Sequence, residues 1–148
     1  MKDRRKTFLD SNIVIYTYCN NVADKQQKAK QLFAEKTVAI STQVLQETAN
    51  TLYRKLKADF HTIRLLLEEC VLNVATLHVN THETVYKACA IAESYKFSFY
   101  DSLIIASALE TECQILYSED MQHNQIIEGK LKIINPFLSI EPNMQLLE

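Results

Sequence analysis

The chain has 148 residues and a formal net charge of -2, with 47% hydrophobic and 23% charged residues. This length fits a single domain that buries its own core without disulfides or a structural metal. A net charge so close to zero gives no overall attraction to nucleic acid or to an anionic membrane, so a nucleic-acid site has to be a local patch. The four cysteines are widely spaced without a C-x-x-C pair, which is typical of reduced core thiols in a cytoplasmic protein.

The first predicted element lies in the segment TFLDSNIVIY, residues 7–16, where an apolar run stops at Asp10 and a second apolar run follows. This pattern predicts a strand that ends at Asp10 and leads into a helix. Because Asp10 interrupts the apolar residues, the segment is unlike a signal peptide or a membrane span, and we expect no membrane partner. The carboxyl end of a strand is where open α/β sheets usually hold ligands.

The remaining segments alternate between helical and strand patterns. Helices are predicted over residues 24–36, from Ser41 to about Lys57, over 59–72, from Asn80 to about Lys96 and from Ser98 to about Glu112. Strands are predicted at 38–40, 73–79, 114–117 and 131–134. Residues 120–128 are expected to form a short helix or a loop. The alternation predicts a three-layer α/β/α fold around a central, mainly parallel sheet of four to five strands. We expect one domain over residues 1–148, with its core at about 6–137 and a peripheral tail over 138–148.

Glycine is nearly absent, which excludes the glycine-rich loops that bind nucleotide phosphates. Gly129 is the only glycine, so neither a P-loop nor a dinucleotide-binding fingerprint is present. A phosphatase that uses a strand-end aspartate and a second aspartate two residues later is disfavoured, since that later position is Asn12. An enzyme built on this chain is therefore expected to work with carboxylates.

Asp101 is the second acid in an apolar setting. In the predicted helix it shares a face with Ile104, Ile105 and Ala108, where an unpartnered acid is costly. One interpretation is local: Ser98 and Asp101 form a capping box at the start of the helix. The alternative is that Asp101 and Asp10 share a cation.

Two further carboxylates complete a candidate set. Glu47 lies at the edge of the helical stripe marked by Val44 and Thr48, and Asp120 follows the apolar run ILY at 115–117. Taken alone, Glu47 is a solvated surface residue and Asp120 is an acid favoured by a helix macrodipole. Clustered acids repel one another unless a hard cation compensates, and oxygen ligands select Mg²⁺ or Mn²⁺.

These residues together give the chain a family resemblance. The order of Asp10-Ser11-Asn12, Glu47 in VLQETAN, YDSLIIASAL from Tyr100 and Ser118-Glu119-Asp120 resembles PIN-domain proteins, in particular the VapC-like toxin ribonucleases. The resemblance covers about residues 6–137. Serine replaces the commoner threonine at positions 11 and 118, and Tyr100 stands where tryptophan is frequent.

The resemblance implies a Mg²⁺- or Mn²⁺-dependent endoribonuclease, the toxin of a type II toxin–antitoxin pair. It implies Asp10, Asp101 and Asp120 as metal ligands and Glu47 as a further ligand or an orienter of the nucleophile. Asn12 and Ser118 are expected to hold carboxylates by hydrogen bonds. The implied partners are an RNA substrate, a cognate antitoxin protein and a second copy of the chain in a homodimer.

An acidic site needs a basic rim if it is to accept RNA. The candidates are two clusters, Arg4, Arg5 and Lys6 before the first strand and Arg54 and Lys55 at the end of the Glu47 helix. Ordinary solvated charge is the simpler explanation of both clusters, and for the second cluster placement at a helix C-terminus is itself favourable. The alternative to a nuclease is a catalytically weak PIN-like module that binds RNA or protein.

Overall fold

The computed structural model describes residues 3–138, with side chains from residue 5 onward. Its strands are β1 (Asp3–Leu9), β2 (Lys36–Ser41), β3 (Thr76–His78), β4 (Ile115–Tyr117), β5 (Ile126–Ile127) and β6 (Leu131–Ile134). Its helices are α1 (Ser11–Tyr16), α2 (Ala23–Glu35), α3 (Thr42–Arg54), α4 (Phe60–Leu72), α5 (His82–Tyr95) and α6 (Phe99–Glu110). Apart from Leu138, the predicted tail lies outside the described residues.

The central sheet has the strand order β3-β2-β1-β4-β6-β5. All neighbouring strands pair in parallel except β5 and β6, which are antiparallel. The predicted mainly parallel α/β fold is therefore confirmed, but the sheet has six strands where four to five were expected. The apolar runs in β2 and β4 are continuous because parallel strands are buried on both faces.

The additional strand, β5, lies within the segment 120–128, for which a helix or loop was expected, and belongs to a tight hairpin. Glu128 and Gly129 both have positive φ angles, and Lys130 N–H donates to the Ile127 carbonyl at 3.0 Å. Two consecutive residues with positive φ are typical of tight hairpin turns, and glycine adopts this conformation without strain; here three residues separate the paired Ile127 and Leu131. The sole glycine of the chain was the available signal for this hairpin.

Helices cover both faces of the sheet. The chain moves from β1 through β2 to β3 in one direction, so right-handed crossovers place α1 to α4 on one face of the sheet. It then crosses back from β3 to β4 in the opposite direction, which places α5 and α6 on the other face. Residues 102–108 of α6 are buried on every side, so this helix lies inside the core. Its buried Ser107 is satisfied by donating to the Asn80 side chain at 2.8 Å.

Two helix details differ from the predictions. The N-cap of α5 is Thr81, which forms a capping box with Thr84, because the side chain of Asn80 is occupied by Ser107. For α3 the helical spacing of Leu45, Ala49, Leu52 and Leu56 predicts a buried stripe, which is wrong at Leu56, because that residue lies beyond the end of the helix and is 43% exposed. Within residues 3–138 no helix has the length and apolar character needed to cross a membrane.

The topology fixes the place where a site can form. The chain leaves β1 toward β2 on one side, and β4 later pairs with β1 on the other side, so β1 and β4 flank a topological switch point. The connections diverge there and leave a crevice at the carboxyl ends of the two strands. Asp10 directly follows β1, and Ser118, Glu119 and Asp120 directly follow β4.

Candidate active site

Asp10 lies at the bottom of this crevice and is only 5% exposed. It caps α1, with its Oδ1 accepting from the backbone N–H of Ser11 at 2.7 Å. Its Oδ2 accepts from the Ser118 hydroxyl at 2.8 Å. The backbone N–H of Asp10 donates to the Tyr117 carbonyl at 3.0 Å, so pairing with β4 continues to the acid itself. The carboxylate is therefore held by both strands of the switch point.

Asn12 and Ser118 connect Asp10 to Asp120. The Asn12 Nδ2 donates to Asp120 Oδ2 at 3.0 Å and, more weakly, to Asp10 Oδ2 at 3.5 Å. Ser118 Oγ donates to Asp10 while accepting from the backbone N–H of Asp120 at 3.2 Å. Both residues thus occupy positions from which they orient carboxylates, in line with the sequence expectation.

Glu119, the neighbour of Asp120, is engaged elsewhere. Its carboxylate forms an ion pair with Lys25 and accepts from the Tyr16 hydroxyl at 2.6 Å. Its backbone N–H donates to Asn12 Oδ1 at 3.3 Å. The Glu119 side chain therefore anchors the loop after β4 to α2, whereas Asp120 turns toward Asn12.

Glu47 and Asp101 approach the crevice from two helices on opposite faces of the sheet. Ser98 Oγ accepts from the backbone N–H of Asp101 at 3.2 Å, which is the forward half of the predicted capping box. Gln43, one turn before Glu47 in α3, donates through Nε2 to the Tyr100 carbonyl at 3.1 Å. This hydrogen bond joins α3 to the start of α6 next to the two acids.

The electrostatics indicate that the carboxylates influence one another. Burial raises the pKa of Asp10 to about 7, hydrogen bonds from Ser118 and Ser11 oppose that rise, and the charges of Glu47 and Asp101 add to it. Burial also raises the pKa values of Glu47 and Asp101, with a further contribution from Asp101 to Glu47 and from Asp120 to Asp101. The four predicted acids therefore form a linked electrostatic group, which we call the acid cluster.

The donor chemistry of the acid cluster fits a hard divalent cation. All four acids offer oxygen only, and among the described side chains no cation pairs with the buried Asp10 to favour its ionised form. In the part of the chain that the structure describes, however, no three acidic, histidine or cysteine side chains converge closely enough to hold an ion. Binding would then require small side-chain rotations or bridging waters.

The predicted basic residues have different positions relative to the cluster. The side chain of Arg4 is outside the described part, and Arg5 and Lys6 lie within β1. An extended strand rises about 3.3 Å per residue, so Arg5 is roughly 16 Å from Asp10 along β1. Arg54 and Lys55 are exposed at the end of α3, and Lys55 lines a cleft of about 570 Å³ that also contains Asn12 and Asp120.

Two residues that shape the site were not singled out from the sequence. Gln43 and Lys25 act through contacts with distant segments, the Tyr100 carbonyl and the Glu119 carboxylate. Their residue types are common on protein surfaces, so no local sequence signal marked them. A helical projection of α3 places Gln43 beside Glu47, which is the one hint that was available.

The fold and site define a class: a mainly parallel α/β/α domain that gathers carboxylates at a switch point of the sheet. A family model described as PIN domain matches residues 7–128. This chain therefore belongs to the PIN domain family. No curated protein matches the chain.

Solved structures with the same fold include toxins from several bacteria. VapC20 of Mycobacterium tuberculosis, described as a Sarcin-Ricin loop cleaving toxin, is 21% identical with a TM-score of 0.60, covering 74% of this chain and 86% of that chain. A toxin–antitoxin complex from Klebsiella pneumoniae is 17% identical with a TM-score of 0.64, covering 88% and 97%. VapBC2 of Rickettsia felis, bound to a promoter DNA fragment, is 16% identical with a TM-score of 0.61, covering 88% and 99%.

Proposed function

We propose that the protein is an endoribonuclease that hydrolyses RNA phosphodiester bonds with the help of Mg²⁺ or Mn²⁺. The observation that carries this proposal is the acid cluster, in which carboxylates from four separate segments act on one another at the β1–β4 crevice. Membership of the PIN domain family supports it, as does the fold shared with a toxin named for cleaving the sarcin–ricin loop.

Asp10, Asp101 and Asp120 are the residues that would hold the ion. When bound, a divalent ion lowers the pKa of a coordinated water and neutralises charge on the phosphodiester. Glu47 is half-buried and has a raised pKa, so it is suited to orient that water and accept its proton. Asn12 and Ser118 keep the Asp10 and Asp120 carboxylates in place by the hydrogen bonds described above.

We further propose that the chain is the toxin of a type II toxin–antitoxin pair, acts in the cytoplasm, forms a homodimer and is inhibited by a cognate antitoxin protein. The support is the shared fold with the toxin–antitoxin complexes described above. Two measurements test this part: growth arrest on expression in a bacterial host, relieved by the protein encoded next to the gene, and a dimer mass by light scattering. Growth unaffected by active enzyme would contradict the toxin role.

The test of activity is cleavage of a mixed cellular RNA pool by the purified full chain, with Mg²⁺ or Mn²⁺ and with EDTA. The Asp101→Asn variant removes one charge from the acid cluster, and Glu93→Gln removes an exposed charge of α5 as a matched control. We expect metal-dependent cleavage by the wild type and by Glu93→Gln, and loss of cleavage in Asp101→Asn. Wild-type cleavage rates in a folded Asp101→Asn protein would contradict the assigned site.

The second candidate is a binding module that uses the same fold without catalysis. One observation favours it: within residues 3–138 the acids do not converge into a ready metal site. The two functions differ in their response to metal, because an ion that binds only the native state must raise the melting temperature. Absence of both RNA cleavage and a Mg²⁺- or Mn²⁺-induced thermal shift would favour the binding module.

A further inference from the structure

An exposed aromatic ridge stands where α3 ends and α4 begins. We define the aromatic ridge as Tyr53, Leu56 and Phe60, whose side chains are 48%, 43% and 65% exposed. The rings of Tyr53 and Phe60 are stacked, with centroids 4.4 Å apart and planes inclined by 14°. Stacking covers one face of each ring, and the large exposed fractions leave the rest of both rings open to solvent.

Cationic side chains surround the aromatic ridge. Arg54, Lys55 and Lys57 are exposed beside it, and among residues 3–138 no acidic side chain forms an ion pair with any of them. The nearby Asp59 is occupied in capping α4, accepting from the Thr62 backbone and hydroxyl at 2.8 and 3.2 Å. The ridge therefore combines exposed rings with three cations that form no ion pair with a side chain of the described part.

A cleft connects the aromatic ridge to the acid cluster. It has a volume of about 570 Å³, and its lining includes Lys55 and Leu56 from the ridge region and Asn12 and Asp120 at the acid cluster. A second cavity of about 440 Å³ is lined by Tyr53, Arg54 and Lys57. A chain molecule that rests on the ridge can thus continue through the cleft to Asp120.

We propose that the aromatic ridge is a stacking platform for the bases of single-stranded RNA, and that the adjoining cleft leads the strand to the acid cluster. Every base has a flat π-face that stacks on an exposed aromatic ring. The backbone phosphates lie between successive bases, and the cations that flank the ridge neutralise their charge. The destination of the strand rests on the proposed nuclease function, whereas binding to the ridge does not.

RNA accounts for this surface better than a protein partner does. A protein that covered the ridge would have to bury Arg54, Lys55 and Lys57 and supply acids for them, since none of the three forms an ion pair within residues 3–138. A polyanion supplies that charge along its whole length. The charges and the rings thus point to the same ligand.

The experiment measures binding of a fluorescein-labelled, unstructured RNA 12-mer to the full-length chain by fluorescence anisotropy, in an Asp101→Asn background with EDTA so that nothing is cleaved. Tyr53→Leu and Phe60→Leu remove a ring but keep an apolar side chain that packs between the helices. Tyr86→Leu is the matched control, because Tyr86 is 67% exposed on α5, where its ring contacts His82. Tyr53→Trp is the conservative replacement that keeps a stacking surface.

We expect each ring-to-leucine change to weaken binding on the order of tenfold, equivalent to about 1.4 kcal/mol, with Tyr53→Trp restoring it and Tyr86→Leu having no effect. The dependence on salt separates the two kinds of contact. Lys55→Gln should reduce the slope of log K against log[salt] by about 0.7, while Tyr53→Leu should leave the slope unchanged.

Unchanged RNA affinity in both Tyr53→Leu and Phe60→Leu would overturn the proposal. So would loss of a dimer or of binding to a protein in these variants while their RNA affinity stays constant, because the ridge would then be a protein interface. Failure of the proposed nuclease function would give a different result from failure of the platform: the wild type would bind the 12-mer through the ridge and never cut RNA. Lower melting temperatures with normal RNA affinity would identify the ring pair as a packing element only and would also refute the platform.

Discussion

The buried Asp10 should make the metal-free protein less stable at alkaline pH than at acidic pH. Its pKa rises from 3.8 to about 7 on folding, mainly because burial disfavours the charged form. Between pH 4 and 7 the folded state binds a proton that the unfolded state has released, so stability falls as the pH rises and levels off above about pH 7. A shift of about three pKa units corresponds to roughly 4 kcal/mol of destabilisation by this group at pH 8.

Asp10→Asn removes this titration. The amide keeps an acceptor for the Ser11 backbone N–H but loses one carboxylate oxygen. We therefore expect the variant to recover about half of the destabilisation that the charged Asp10 causes at pH 8, roughly 2 kcal/mol. In a chain of this size each kcal/mol changes the melting temperature by about 2–4 °C. The variant should therefore melt several degrees above the wild type at pH 8 in EDTA. Because only about half of the roughly 4 kcal/mol is recovered, the difference should fall to zero between about pH 5 and 6 and reverse in sign near pH 4, where the wild-type Asp10 is neutral in the folded state.

The assay is a thermal melt of both proteins from pH 4 to pH 8 in EDTA, since the difference between them isolates Asp10 from other titrating groups. Asp59→Asn is the control: hydrogen bonds from Thr62 lower the pKa of the exposed Asp59, so its replacement should give no gain at pH 8. Addition of Mg²⁺ at pH 8 should raise the melting temperature of the wild type more than that of Asp10→Asn. An Asp10→Asn protein that is no more stable than the wild type at pH 8 would refute the reasoning.

Two other substitutions test the supports of the acid cluster. Asn12→Ala removes the bridge between Asp10 and Asp120 and should weaken Mn²⁺ binding by about 10- to 100-fold in calorimetric titration; an unchanged affinity would contradict the bridging role. Gln43→Met loses the hydrogen bond to the Tyr100 carbonyl but also removes a buried Oε1 that has no partner within residues 3–138, so its unfolding free energy should change by less than about 1 kcal/mol. Its RNA cleavage should nevertheless fall, and a large loss of stability with normal cleavage would show that Gln43 only packs.

The strand-end acids were predictable because their physical signal is local. Asp10 and Asp120 each follow a short apolar run that is typical of a buried strand, and the carboxyl ends of parallel strands meet at one edge of the sheet. The start of α6 was predictable for a similar reason, since Ser98 caps it as the spacing indicated. The roles of these acids in catalysis and metal binding stay predictions.

The contacts that complete the site depend on tertiary structure and have no local signal. The adjacent Glu119 and Asp120 were both candidates for the fourth acid, with the Ser-x-Asp register favouring Asp120. The contacts that hold the Glu119 carboxylate, with Lys25 94 positions away and with Tyr16, have no local signal. The exposure of Leu56 was missed because a helical periodicity carries no information about where the helix ends. Lys57 adopts a positive φ there and turns the chain into α4, so the stripe stops one turn early.

The sheet ends in very short strands on both sides, three residues in β3 and two in β5. A long free edge would offer a ladder of unpaired backbone groups to another chain, with the risk of aggregation that such edges carry. Here a partner strand would gain only a few backbone hydrogen bonds, too few to hold it in register. Association of this domain with a second copy or another protein should therefore proceed through helix surfaces and side chains rather than by extension of the sheet.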